Sequence, residues 1–155
     1  MSMDAIVIDL DGTLVNNNAR AIPFLRPPAG ADLDAHWAQF FKDSDLDRPN
    51  RWCKEIVESL HDKGYKIIFL TGRGESHGID DVTSKWLNNN IGSQIDYDLI
   101  MRKKGDTRRD CDVKRDIILT KIAPHYNILF AVDDKRSNVD MFESLGIKCL
   151  HCADY

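Results

Sequence analysis

Three polar clusters interrupt an otherwise apolar pattern: Asp9-Leu10-Asp11-Gly12-Thr13, Thr71-Gly72-Arg73 and Asp133-Asp134. Between them they supply carboxylates, hydroxyls and a guanidinium. Carboxylates serve as nucleophiles, proton carriers or metal ligands, and guanidinium groups grip phosphate oxygens. Taken singly, an Asp after a strand often only caps a turn. Three such endings in one chain point instead to a shared crevice. Asp9, Asp11, Asp133 and Asp134 could not meet there as bare anions, because like charges at close range repel strongly. A hard divalent cation resolves that conflict, and Mg²⁺ suits a few carboxylates completed by water and phosphate oxygens.

The clusters need elements that bring them together. Each follows a short apolar run: Ala5-Ile6-Val7-Ile8, Lys66-Ile67-Ile68-Phe69-Leu70 and Ile128-Leu129-Phe130-Ala131-Val132. Two weaker runs, 97–101 and 147–150, complete the series. Short runs with little internal polarity read as strands buried on both faces, the signature of a parallel sheet. Apolar residues at helical spacing predict helices over 50–63, 80–90, 112–123 and 137–145. The alternation predicts an α/β, Rossmann-like three-layer fold with a central parallel sheet of about five strands. In such a sheet, ligands bind at the carboxyl ends of the strands, where all three clusters fall.

Residues 1–155 read as a single domain, with 14–49 as a small cap-like insertion too long for an ordinary strand-to-helix loop. Pro23, Pro27, Pro28 and Gly30 make its first part a loop, and Trp37, Phe40 and Phe41 predict a short amphipathic helix within 32–43. Packing onto the domain is the favoured role of that aromatic stripe; a lid or substrate platform is the alternative.

Composition bounds the class. The 155 residues are 43% hydrophobic and 30% charged, which excludes a fibrous or wholly disordered chain. The net charge of −4 is unevenly built, from 21 Asp and only 4 Glu on the acidic side. No apolar run is long enough to span a bilayer, and Asp4 with no basic region before it speaks against a secretory signal. Cys53, Cys111, Cys149 and Cys152 read as free thiols; the Cys149–Cys152 spacing lacks the further ligands of a zinc site. The expectation is a cytoplasmic protein with no membrane association and no evident protein partner.

Asp9-Leu10-Asp11-Gly12-Thr13, Thr71, Lys114 and Asp133-Asp134 resemble the four ordered motifs of haloacid dehalogenase (HAD) superfamily phosphatases. Residues 100–134 are similar to the 3′-phosphatase domain of phage polynucleotide kinase-phosphatases, and Arg20 and Arg73 match arginines that family places near its active site. The resemblance implies a HAD fold and a phosphomonoester hydrolase working through an aspartyl-phosphate. It makes Asp9 the nucleophile and Asp11 the proton carrier. It assigns Mg²⁺ to Asp9, the backbone carbonyl of Asp11, and Asp133, with Asp134 in support. Thr71, Gly72, Arg73, Lys114 and Arg20 become phosphate or substrate contacts. Asp110, four residues before Lys114, either orients that lysine or caps a helix.

Residues 102–115 carry a net +4, against −8 for the remainder. A basic segment beside the crevice suits a phosphorylated nucleic-acid end or a nucleotide; a solvated helix face is the alternative. No GxxxxGK[ST] motif accompanies it, so the kinase half of the bifunctional enzymes has no counterpart among these residues. Two other readings stay open: a small-metabolite phosphatase, and a non-catalytic module that binds phosphorylated ends. The second conflicts with the presence of both Asp9 and Asp11, since binding alone needs neither.

Overall fold

A computed structural model describes residues 2–153. In chain order the first elements are β1 (Met3–Ile8), β2 (Val15–Asn16), α1 (Asn18–Ala21), α2 (Leu33–Phe41), β3 (Arg48–Pro49) and α3 (Arg51–Asp62). They are followed by β4 (Lys66–Gly74), α4 (Ile79–Asn90), β5 (Tyr97–Arg102), α5 (Asp110–Ile117), β6 (Tyr126–Asp133), α6 (Arg136–Ser144) and β7 (Cys149–His151).

Five strands form one parallel sheet in the order β5-β4-β1-β6-β7. Side chains alternate across a strand, so neighbours in sequence serve opposite faces. Ile6, Ile8, Ile67 and Phe69 pack against Cys53 and Val57 of α3 and Trp86 and Leu87 of α4. Ala5, Val7, Ile68 and Leu70 pack against Val113 and Ile117 of α5 and Val139 and Phe142 of α6. The result is three layers, and the fold expected from the apolar runs is the one observed.

The three strands that end in polar clusters are adjacent, with β1 between β4 and β6. Thr71-Gly72-Arg73 lies within the end of β4 rather than beyond it, where the pairing with β5 shifts register between Thr71 and Gly74. The helix expected over 112–123 begins earlier and changes character. Its α-helical part stops at Ile117, and Ile118–Ile122 is a π turn closed by Ala123 N–H donating to the Ile118 carbonyl at 2.8 Å. Pro124 forbids further helix, and the wider turn keeps Ile118 and Ile122 in the core.

The segment after β1 leaves the sheet and closes on itself in a two-stranded ladder of its own. Val15 pairs with Pro49 and Asn16 with Arg48 in a short antiparallel ladder. Asn50 adds two bonds across the same gap, from its N–H to the Leu14 carbonyl at 2.7 Å and from Nδ2 to the Thr13 carbonyl at 2.8 Å. Helix α2 is capped by Asp32, whose carboxylate accepts from the N–H groups of Asp34 and Ala35. The aromatic stripe divides between the two roles: Phe40 is buried, whereas Trp37 and Phe41 are half-buried and join neither core cluster. The three rings stack on one another and on Phe24, and all three line a cavity. The reason is geometric. The helix lies outside the sheet layers, so its apolar face has only its own segment and the crevice to meet.

Candidate active site

Asp9 leaves the end of β1 with its N–H bonded to the Val132 carbonyl at 3.1 Å, so β6 fixes its direction. Its carboxylate accepts from Thr13 Oγ1 at 3.0 Å on one oxygen and from Lys114 Nζ at 2.9 Å on the other. Lys114 also donates to Asp133 at 2.8 Å and lies 3.6 Å from Asp110. This lysine is 1% exposed, a buried cation among three carboxylates. Burial pushes its pKa down, but Asp110, Asp9 and Asp133 more than reverse that, and the ammonium is held well above its ordinary value.

Asp9 is shifted the other way. Burial, then the neighbouring Asp133 and Asp134, push its carboxyl well above the usual range, and Lys114 only partly offsets them. Asp9, Asp133 and Asp134 each offer a carboxylate oxygen within 4.8 Å of the others, and all three are buried. That donor set and its charge conflict fit a hard divalent cation. The Asp11 carboxylate is not part of the set.

Asp11 instead turns to Arg73, which grips it through two bonds, Nε at 3.0 Å and Nη2 at 2.7 Å. Asn17 Nδ2 donates to the same carboxylate at 2.6 Å. Burial alone would raise Asp11, but the guanidinium and the amide outweigh it and hold the carboxyl below its ordinary value. Arg73 is therefore committed to Asp11, Thr83 and the Phe41 ring, rather than standing open as a simple phosphate contact.

Asp110 is not a helix cap. The N-cap of α5 is Arg109, which makes no side-chain capping bond, and the Asp110 carboxylate points inward to Asn138 Nδ2 at 2.8 Å. Lys114 and Lys135 overcome the effect of burial and hold this carboxyl far below its usual value. Gly72 is required at its position: a Cβ there would fall on the Asp110 carboxylate. At Gly12, φ is +78°, and a side chain would collide with Asp134. Thr71 is buried and accepts the Arg73 N–H at 3.1 Å.

Arg20 stands apart from the other expected contacts. It forms a two-bond ion pair with Asp47, at 2.8 and 2.6 Å, and covers the Phe40 ring at 4.2 Å. It braces the 14–49 segment and is not among the cavity-lining residues. The motifs missed Asn17 and Asn138. Asn138 is fully buried and donates to both Asp110 and Asp133. Lys135 was also missed as a member of the site, and Arg102 was expected only as part of the basic segment 102–115; each lies 3.6 Å from Asp110 and both line the cavity. A basic residue directly after Asp133-Asp134 was the available signal for Lys135. Asn138 had none.

The cavity above these groups measures about 440 Å³, within the range of small-molecule sites. Asp9, Asp11, Gly72, Arg73 and Asp134 form part of its wall.

The family description "Polynucleotide kinase PNKP phosphatase domain" matches residues 3–155. The chain belongs to this family of HAD phosphatases. A protein of Autographa californica nuclear polyhedrosis virus described as a bifunctional polynucleotide kinase/RNA ligase is 29% identical over 153 residues, covering 97% of this chain and 20% of the relative. A chain in the structure of the Pnkp1/Rnl/Hen1 RNA repair complex superposes with a TM-score of 0.76 at 29% identity, covering 98% of this chain and 43% of that one. A protein from Thermotoga maritima described as a β-phosphoglucomutase shares the fold alone, at TM-score 0.58 and 14% identity, covering 99% of this chain and 88% of its own. The present chain thus spans about a fifth of the viral relative and less than half of the repair-complex chain. Among the described residues no helix is long and apolar enough to cross a membrane.

Proposed function

We propose that this phosphatase removes phosphate from the 3′ ends of nucleic acids through an aspartyl-phosphate on Asp9, with Mg²⁺ as cofactor. The observation that carries the reading is the pairing of two unlike carboxylates two residues apart. Asp9 is buried beside Asp133 and Asp134, while Asp11 faces the cavity under the control of Arg73 and Asn17. In this reading the first attacks and the second moves a proton.

Asp9, Asp133 and Asp134 would hold the cation together with the Asp11 carbonyl. When bound, it offsets phosphate charge and orients the ester for in-line attack. Lys114 and Thr13 fix the two Asp9 oxygens, which orients the attacking one. Asp9 forms a bond to phosphorus as the ester oxygen leaves, and Asp11 delivers the proton that oxygen takes up. Asp11 then accepts a proton from the water that attacks the acyl phosphate, which returns Asp9 as a carboxylate and releases phosphate. The Arg73 pair that holds Asp11 ionised must loosen, so that Asp11 takes up a proton from solvent before it donates in the first turnover, and the substrate phosphate competes for the same guanidinium. Thr71 and the Gly72 N–H would supply donors to the equatorial oxygens.

Residues 1–155 form one such domain, with 14–49 as its small cap, in this reading. The free thiols Cys53, Cys111, Cys149 and Cys152 suit a reducing cytoplasm. The test is phosphate release from 3′-phosphorylated oligonucleotide, 5′-phosphorylated oligonucleotide and glycerol phosphate, with and without Mg²⁺. The 3′ end should be preferred, and Asp9→Asn should abolish release without altering the circular dichroism spectrum. Preference for glycerol phosphate would overturn the substrate, and turnover by Asp9→Asn would overturn the mechanism.

A further inference from the structure

The proposed chemistry uses only the floor of the cavity. Its apolar wall comes from the 14–49 segment, chiefly Leu25, Leu33, Trp37, Phe40 and Phe41. Hydrolysis of a phosphate ester needs no aromatic side chain, so that wall calls for its own explanation. Core packing does not supply one, because Trp37 and Phe41 are only partly buried and neither core cluster contains them.

The rings pack against one another. Trp37 meets Phe40 edge-on at 5.9 Å and 87°, and His36 edge-on at 5.4 Å and 83°. Trp37 and Phe41 lie 6.4 Å apart with planes only 34° from parallel. The helix that carries them is fastened to the sheet side by Asp34, which accepts from Ser76 Oγ at 2.8 and 2.9 Å. The platform is also tied to the floor. The Arg73 guanidinium sits 4.7 Å from the Phe41 ring centroid while bonding to Asp11 at 2.7 Å. One planar group therefore separates the aromatic wall from the proposed proton carrier.

We propose that Trp37 and Phe41 form a stacking platform for the base of the nucleotide whose phosphate enters at Asp9. The inference rests on the reading that this cavity takes a phosphorylated nucleotide end, and it names what distinguishes that end from other phosphomonoesters. Aromatic faces accept any base, so the platform recognises nucleotides without reading sequence. Arg102, Arg108 and Lys135 line the same cavity, held there by Asp106, Asp110 and Asp116, and the further phosphates of a polynucleotide would compete with those carboxylates for the same cations.

Stacking of one base on an aromatic side chain corresponds to roughly 5- to 150-fold in binding. The experiment compares a 3′-phosphorylated oligothymidylate, the same oligonucleotide with an abasic terminal nucleotide, and glycerol phosphate. Trp37→Ala, which leaves the Arg73–Asp11 pair untouched, should lower kcat/KM on the first by roughly 5- to 150-fold and leave the other two unchanged. Trp37→Phe, which keeps a flat ring and the packing around it, should retain most of the activity. Equal losses on all three substrates, or no loss on the first, would overturn the platform.

A binding measurement keeps the proposal independent of catalysis. In the Asp9→Asn chain, thymidine 3′-monophosphate should quench tryptophan fluorescence, and the added Trp37→Phe change should abolish that quenching. Glycerol phosphate should not quench. Absence of Trp37-dependent quenching overturns the platform; quenching without any wild-type turnover supports it while overturning the hydrolase reading.

Discussion

Replacing Lys114 with methionine tests the electrostatics of the site most directly. Methionine keeps the volume and removes the charge. Three carboxylates then lose the cation they share: Asp133 at 2.8 Å, Asp9 at 2.9 Å and Asp110 at 3.6 Å. Removing one partner from a buried ion pair costs about 3–5 kcal/mol, because the remaining charge is left without compensation. In a domain of this size 1 kcal/mol moves Tm by roughly 2–4 °C, so Lys114→Met should melt about 6–20 °C below wild type. The second half of the experiment decides the cause. Asp9→Asn removes one stranded anion, so the double variant should recover part of the loss. Thermal melts of the four proteins give the coupling energy, which should exceed the roughly 0.5 kcal/mol within which independent sites add. Lys114→Met melting close to wild type, or additive single effects, would refute the reasoning.

Two further outcomes follow from neighbouring residues. The Asp110 carboxyl titrates far below its unfolded value near 3.9, so at acid pH the unfolded chain binds the extra proton. Its stabilisation is complete above about pH 4 and is lost as pH falls below that, so Asp110→Asn should flatten the acid limb of a Tm-against-pH series; acid limbs of equal slope would exclude it. Gly72→Ala places a methyl on the Asp110 carboxylate and should lower kcat at least about tenfold with about 1–3 kcal/mol of destabilisation, whereas Gly74→Ala, whose nearest neighbour is 3.5 Å away, should behave as wild type in the same assays.

Much of this site could be read from the chain because its parts hang on strand ends. Ala5-Ile6-Val7-Ile8 fixes a buried strand, and whatever follows it must emerge at the carboxyl edge of the sheet. Asp9, Thr71 and Asp133 were legible for that reason. The partners of those residues were not. Arg73 meets Asp11 across 62 positions, and Asn138 reaches Asp110 across 28, through folding that no local spacing records. Arg20 shows the opposite failure: its position in the motif suggested substrate, and its guanidinium is spent on Asp47. The aromatic helix could be located by its period, but period alone says only that a face is apolar. Whether that face meets a core or a cavity depends on where β2 and β3 let the segment fold back.

That short ladder has an evolutionary consequence. Because Val15 and Asn16 pair directly with Pro49 and Arg48, everything between them is a closed excursion whose two feet share one anchor. Lengthening such an excursion costs little, about 0.6 kcal/mol for each doubling of its length. The sheet does not register how long it is. Substrate preference can therefore drift by rewriting the excursion, provided that Asn17 and Phe41, which meet Asp11 and Arg73, are kept, and the same anchor marks where a foreign loop could be grafted onto this hydrolytic floor.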